Sequence, residues 1–428
     1  MNFMEMIRNL FRWNRKMTSN APKAERRKRT GSQTVVQEQE VSEALQEYLL
    51  MQYDFRYNLL TEETEFRPNG SPDPIFTPIG QREMNTLCMD ARTAGIKCWD
   101  RDLSRYLLST RIPSYHPLQL YMEELPGWDG HDRLADLAQR VSASPLWIKS
   151  FHTWMLAVVA QWTGREQVHA NCVAPVLVSS EQGHLKSTFC KGLLPPCLHR
   201  YYTEKFSLTS QGDAERKLAE MALINLDEFD RYSLVQMPQL KNLMQLATLN
   251  LRKPHQKSYR LLPRIASFIG TSNRMDLLTD PSGSRRYICI EVKQAINLEG
   301  IDHSQLYAQL KAELMAGRRY FFTKEEERQI QQHNLSFYRQ TLAEEVLRDC
   351  FRPAFEEESH ELLSAAEIFQ TLQRHNPTAM RGANPNHFSQ ILATAGVVRK
   401  HTKWGNVYRV FRLDNSPQKE QAFTLKCR

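Results

Sequence analysis

Four short apolar runs between Asn171 and Val292 constrain this chain more than any other feature: Ala174–Val178, Leu223–Asp227, Ile265–Gly270 and Tyr287–Glu291. Turn residues bound each run, and stretches of helical spacing separate them. Strands buried on both faces of a parallel sheet read this way, because crossover helices cover the faces and leave no polar side. The centre of the chain is therefore expected to be α/β. With 41% hydrophobic and 24% charged residues, the chain has the apolar side chains that a sizeable core needs. Its 428 residues allow about two to three domains. No internal repeat is present.

The flanks read differently. Residues 1–40 are basic and then Ser/Gln/Glu-rich without periodicity, which predicts a flexible arm. Residues 41–145 read as a mostly helical region, with helical spacing over Val41–Tyr53, Met84–Ala94 and Arg101–Leu108. A polar stretch, Thr61–Arg67, and a Pro/Gly-rich turn, Pro68–Pro78, interrupt it. The apolar helix Leu146–Trp162 opens the central domain, 146–345. In the last segment, 346–428, Ser364-Ala-Ala-Glu367 is a capping box for a helix Ala365–Gln373. A second helix, Asn384–Ala395, and a hairpin of Val397–Lys403 and Val407–Leu413 around Gly405-Asn406 follow. Two helices and then a β-hairpin is the order of a winged helix.

Lys plus Arg is 56 against 48 Asp plus Glu, a formal +8. Nearly all of that excess lies in residues 1–30, where nine basic residues face only Glu5 and Glu25. The body is close to neutral, so bulk charge does not make it a nucleic-acid binder. The eight cysteines (positions 88, 98, 172, 190, 197, 289, 350 and 427) show no metal-site or disulfide spacing. Scattered thiols suit a reducing compartment. No apolar run approaches the ~20 residues that span a bilayer, and residues 1–16 lack the order of a signal peptide. A cytoplasmic protein is expected.

Chemistry concentrates at the ends of the apolar runs. Ala174–Val178 runs into Ser179-Ser-Glu-Gln-Gly-His-Leu-Lys-Ser-Thr-Phe189, a strand, loop and short helix. That is the setting of a phosphate-binding loop, in which backbone N–H groups and the helix N-terminus face phosphates, a lysine reaches the terminal oxygens and the next hydroxyl holds Mg2+. Lys186 and Ser187 stand in those places, followed by Thr188; Gly183 is the single glycine, with Ser180 and Leu185 where others are usual. Leu185 is expected to keep ordinary backbone angles and so to widen the cradle. Leu223–Leu226 delivers Asp227 and Glu228, one acid for the Mg2+ shell and the next to activate water. The third run leads to Thr271-Ser-Asn273, whose amide can orient water or the γ-phosphate. Gly283-Ser-Arg-Arg286 places Arg285 and Arg286 where a guanidinium could stabilise transferred charge, commonly from a neighbouring subunit.

In this order the residues resemble the virulence-associated protein E family, P-loop ATPases similar to the superfamily 3 helicases of viruses and phages. The resemblance runs from about Leu107 to Glu291. It takes in His116-Pro-Leu118, Leu125-Pro-Gly-Trp-Asp-Gly-His-Asp-Arg133, Lys186-Ser-Thr188, Asp227-Glu228, Arg264 with Phe268-Ile-Gly-Thr-Ser-Asn273, and Gly283-Ser-Arg-Arg286. It implies a P-loop core of the AAA+ or superfamily 3 type, with Lys186 and Ser187 as the Walker A pair and Asp227 and Glu228 as Walker B. Asn273 is then the sensor and Arg286, or Arg285, the arginine finger. By the same resemblance Arg252, Lys253, Lys257 and Arg260 are DNA-contact candidates in a hairpin before the sensor strand. On the C-terminal hairpin, Arg399, Lys400, Lys403 and Arg409 suit phosphates. Trp128-Asp129-Gly130 suggests only a tight turn with a packed indole.

The expected protein is thus an ATP- and Mg2+-dependent, DNA-binding ATPase of a phage or mobile element. It would act as a homo-oligomeric ring on single-stranded or forked DNA, helicase-like in replication, with any primase on another chain. The alternative is a non-hydrolysing protein whose ATP site switches DNA binding or assembly.

Overall fold

The structure, a computed structural model, describes residues 39–72, 75–164, 169–233, 235–251, 259–278, 281–339, 341–355, 357–385, 388–403 and 405–413. The basic arm and the candidates Arg252, Lys253 and Lys257 lie outside these residues. The chain divides into two compact units, Met1–Leu120 and Tyr121–Arg428.

In the first unit a helix over residues 39–52 (α1) leads into strands Tyr53–Asn58 (β1), Glu63–Pro68 (β2) and Thr77–Pro78 (β3). Helices Gln81–Thr93 (α2) and Asp100–Leu107 (α3) and a short strand Ser114–Tyr115 (β4) complete it. The strands form a sheet in the order β3-β2-β1-β4. The helices expected here are joined by a sheet that the sequence reading did not foresee. The stretch Thr61–Arg67, read as a polar interruption, contributes most of β2, which pairs with β1 from Glu63 opposite Asn58 to Pro68 opposite Tyr53. Its polarity has a two-sided cause. Phe66 packs on the core of Leu45, Leu49, Phe55, Leu87 and Leu103, while on the other face Glu65 is bound by Arg56 at 2.8 Å and Tyr115 at 2.7 Å. Strand geometry sends alternate residues to opposite faces, so charges on one side hide a buried side.

A helix Pro117–Glu123 (α4) carries the chain into the second unit, where Arg133–Gln139 (α5) and the almost wholly buried Pro145–Trp162 (α6) precede the sheet. Gln161, polar in an apolar helix, donates to the carbonyls of Ile265 and Ala266 at 3.1 and 3.0 Å and accepts from Asn171 N at 2.9 Å.

The sheet strands are Ala174–Val178 (β5), Tyr202–Thr203 (β6), Leu223–Leu226 (β7), Ser267–Ser272 (β10) and Tyr287–Glu291 (β11). Between β7 and β10 an antiparallel hairpin is formed by Thr248–Leu251 (β8) and Arg260–Pro263 (β9). The order is β11-β5-β10-β7-β6, with every pair parallel. The four apolar runs are thus four adjacent members of a parallel sheet, with β11 at one edge, as their nearly continuous burial suits. Helices Lys186–Gly192 (α7), Gln211–Glu220 (α8) and Gln236–Gln245 (α9) lie between strands in the chain. Leu218, Leu240 and Met244 from α8 and α9 join Val176, Ile224, Leu226 and Phe268 in one core. Gly270 suits the close approach of β10 to β7, where a Cβ would lie in tight contact, 3.3 Å from the carbonyl oxygen of Leu226.

After the sheet come His303–Met315 (α10) and Lys324–His333 (α11). The last segment runs Leu342–Cys350 (α12), Phe351–Pro353 (β12), Glu361–Ser364 (β13), Ala365–His375 (α13), Pro377–Met380 (α14), Phe388–Thr394 (α15), Val398–Thr402 (β14) and Gly405–Arg412 (β15). Strand β15 pairs antiparallel with β12, β13 and β14 around a core of its own. The capping box at Ser364 and Glu367 forms as read, with Glu367 N donating to Ser364 Oγ at 3.2 Å. The helix expected over Asn384–Ala395 is described only from Phe388. Pro385 disfavours the helical region for Asn384, and Gly396 turns the chain out with φ +78°.

Candidate functional site

The loop from Ser179 to Leu185 leaves the carboxyl end of β5 and is fixed at its base. Ser179 N donates to Ser272 O at 3.2 Å, and Ser179 Oγ donates to Glu181 O at 2.8 Å. His184 Nδ1 lies 2.8 Å from Ser179 Oγ and 3.0 Å from the carbonyl of Val292. A carbonyl can only accept, so this nitrogen carries the proton and ties the loop to the end of β11. Gly183 has φ +87°. Leu185, contrary to the ordinary angles expected of it, is left-handed at φ 59°, ψ 27° and immediately precedes α7. The leucine side chain is 46% exposed, so the reversal that turns the chain into the helix is made without driving that side chain into the core. Alternating backbone hands in such a turn gather successive N–H groups into an anion-binding concavity.

Lys186 and Ser187 begin α7 and reach two other strand ends. Lys186 Nζ donates to Asn273 Oδ1 at 3.0 Å, beyond β10. Ser187 Oγ donates to Asp227 Oδ1 at 3.2 Å, beyond β7. Thr271, on β10, donates to the same carboxylate oxygen. Lys186 is 92% buried in relative terms by the 8% exposure left to it, and burial pushes its pKa down against the opposing pull of Asp227. Four residues chosen from sequence thus meet at one edge, although β5 and β7 are not neighbours and β10 lies between them.

Other candidates stand apart. Thr188 is exposed on α7. Glu228 is left-handed at φ 51°, ψ 51° and is ion-paired to Arg231 at 2.5 Å rather than joined to the Lys186 cluster. Arg285 and Arg286 precede β11, whose first residue, Tyr287, pairs with Ala174 at the start of β5. They occupy the amino edge of the sheet, about 13 Å or more from the loop given ~3.3 Å per strand residue. Arg285 pairs with Glu327 at 3.3 Å. Arg260 is exposed on β9, and Arg399, Lys400 and Lys403 are exposed on and beside β14.

Sequence reasoning missed Thr271, His184 and the hydrogen bond from Ser272 Oγ to Asp230 at 2.7 Å. A hydroxyl or an imidazole in a turn has too many ordinary uses to signal itself. It also found no task for Trp128–Arg133. Gly130, at φ +88°, makes the expected turn, and Trp128 Nε1 donates to His131 O at 2.9 Å. Arg133 grips Asp129 through two bonds of 2.7 Å, while Gln305 and Gln309 of α10 bond Asp129 N at 3.0 Å and Asp132 at 2.7 Å. The motif therefore docks on α10. That helix in turn holds the end of α7, with His303 Nε2 donating to Gly192 O at 2.8 Å and Tyr307 Oη to Leu193 O at 3.0 Å. Burial pushes the His303 pKa down, which suits a neutral donor. Arg264 is likewise structural. It is fully buried and donates to the carbonyls of Ala266 at 2.9 Å and Asn171 at 2.7 Å, and to the end of α9.

A family model described as the virulence-associated protein E-like domain matches residues 122–339. A second, described as a domain of unknown function from B. theta, matches residues 340–410. No curated protein matches the chain. Among solved structures, the apo NrS-1 C-terminal region (305–718) is similar at 12% identity and TM-score 0.41, over 86% of this chain and 97% of that one. An A-form apo structure of the same region is similar at 11% identity and TM-score 0.42, over 86% and 98%. With its first model spanning just over half of the 428 residues, the chain belongs to the virulence-associated protein E-like domain family.

Proposed function

We propose that this protein is a Mg2+-dependent P-loop ATPase of the superfamily 3 helicase type, acting on DNA in the replication of a phage or mobile element. The observation that carries the reading is the convergence of Lys186, Ser187, Asp227 and Asn273 from three strand ends. A lysine with a lowered pKa, a concave loop with two positive-φ residues and an acid bonded by two hydroxyls together suit a phosphate chain. The residues also fit the metal. Octahedral Mg2+ with ligands at about 2.0–2.1 Å sets adjacent oxygens about 3.0 Å apart, and Ser187 Oγ stands 3.2 Å from Asp227 Oδ1. Bound there, Mg2+ would neutralise charge on the phosphates. Among the described residues no three His, Cys, Asp or Glu side chains form a metal cage, in keeping with a metal shared with substrate.

Arg285 and Arg286 are too far along the sheet to serve their own loop. They act, in this reading, on the site of a neighbouring subunit in a ring. The β8–β9 hairpin and the winged-helix-like last segment contact DNA. The Glu228–Arg231 ion pair favours one rival, an ATP-switched protein that binds but does not hydrolyse. Two substitutions separate them. Lys186→Ala should abolish binding of a fluorescent ATP analogue. Glu228→Gln should retain binding while turnover falls on the order of 10²-fold or more. Turnover unaffected by both would place the site elsewhere, and full binding with no wild-type turnover would favour the switch.

A further inference from the structure

The first unit holds a concave cleft of ≈500 Å³ between the start of α1 and the start of α3. Lys97, Arg101, Arg105 and Arg111 line it, with Asp102 as the single acid among the lining residues and Trp99 at the rim. The chain outside residues 1–30 is nearly neutral overall, so four cations around one cavity are a local concentration rather than a sample of a basic surface. Most of this charge is uncommitted. Lys97 and Arg105 form no ion pair among the described residues, Arg101 has only a loose approach to Asp102 at 3.8 Å, and Arg111 donates to the neutral Gln46 at 2.5 Å. Asp102 is occupied in capping α3 by accepting from Trp99 N at 3.0 Å.

Trp99 is out of place as a packing residue. It is the N-cap of α3, where a small polar side chain is favoured, and the residue is 60% exposed. Arg92 stacks over the ring at 5.2 Å. Arg101 and Arg105 are one helical turn apart and so share a face of α3. An open indole backed by a guanidinium, beside a row of cations engaged by no close ion pair, has the two parts that hold a single-stranded polynucleotide: an aromatic face for a base and positive charge for the backbone. A duplex would satisfy the charge but offers no free base face.

We infer that this cleft binds single-stranded DNA, with a base stacked on Trp99 and consecutive phosphates at Arg101 and Arg105. The inference rests on the DNA-binding part of the function proposed above and does not involve the nucleotide site. The test is binding of a fluorescent oligo(dT) to the full chain across a range of salt concentrations. Trp99→Ala should weaken affinity about tenfold or more without changing the salt slope, and Trp99→Phe should restore most of it. Arg101→Gln with Arg105→Gln, both exposed and away from the core, should flatten the log–log slope by about 1.4, at ~0.7 per single-strand phosphate. Duplex DNA and thymidine monophosphate should compete poorly. If the wild type binds no single strand, this inference and the DNA reading both fail. If it binds and the charge and Trp99 substitutions leave affinity within twofold and slope unchanged, or if the monophosphate competes equally, the cleft alone is overturned.

Discussion

Leu185 and Glu228 are two of only three non-glycine residues with positive φ among the described residues, and both flank the candidate site. Strained backbone persists where surrounding structure holds it, and it gathers where function needs an unusual chain direction. At Leu185 the strain reverses the chain ahead of α7; at Glu228 it turns the acid off the line of β7. A leucine in this region costs about 1–2 kcal/mol that glycine would not pay. Leu185→Gly should therefore bind ATP as tightly as the wild type or tighter, with a stability change kept small because the unfolded chain gains about 0.4–1 kcal/mol of freedom. A titration with a fluorescent analogue, run beside thermal melting, checks both. Loss of binding in a folded variant would mean the leucine side chain belongs to the site. Lys186, Ser187, Asp227 and Asn273 were legible because few structural reasons put those types at successive strand ends. The backbone angle of Leu185 was not, since nothing about leucine announces a positive φ.

Among the elements, α10 has the least obvious part and one of the more consequential. It receives the Trp128–Arg133 motif on one side and the end of α7 on the other, so a sequence signature well outside the loop helps to set the helix that presents Lys186. Tyr307→Phe removes the donor to Leu193 O inside the core. Urea unfolding should show a loss of about 1–3 kcal/mol, the cost of a buried carbonyl left without a partner. No measurable loss would mean that this hydrogen bond does not brace α7. The hairpin β14–β15 gives a second prediction. Arg399 and Lys400 are adjacent on a strand and so point to opposite faces. A DNA backbone on one face should respond to Arg399→Ala or Lys400→Ala, each measured alone, with a salt slope lower by about 0.9 in one variant only. Equal effects of both would contradict a one-face contact. The parallel strands were legible from continuous apolar runs. The β1–β2 hairpin was not, because Glu63, Glu65 and Arg67 give its sequence the look of a loop.

For the whole molecule, the α/β class followed from the sequence and the family follows from the match over residues 122–339. The sheet order, which sets β10 between the lysine strand and the acid strand, was beyond reach, since apolar runs carry no record of their neighbours. That order shapes the site. It brings Asn273 and Thr271 between Lys186 and Asp227, and the direction of β11 leaves Arg285 and Arg286 at the far edge. Mixing Lys186→Ala chains with Arg286→Ala chains should then restore part of the lost turnover at shared interfaces, and no recovery in confirmed oligomers would count against a ring with the arginine supplied in trans. The proposed function couples hydrolysis to DNA. It is tested most directly by the ATP turnover of the purified wild-type protein in Mg2+, with and without single-stranded DNA. Turnover should be measurable, should rise when the strand is added and should fall on the order of 10²-fold or more in Glu228→Gln. Tight ATP binding with no turnover under either condition would contradict the proposed function.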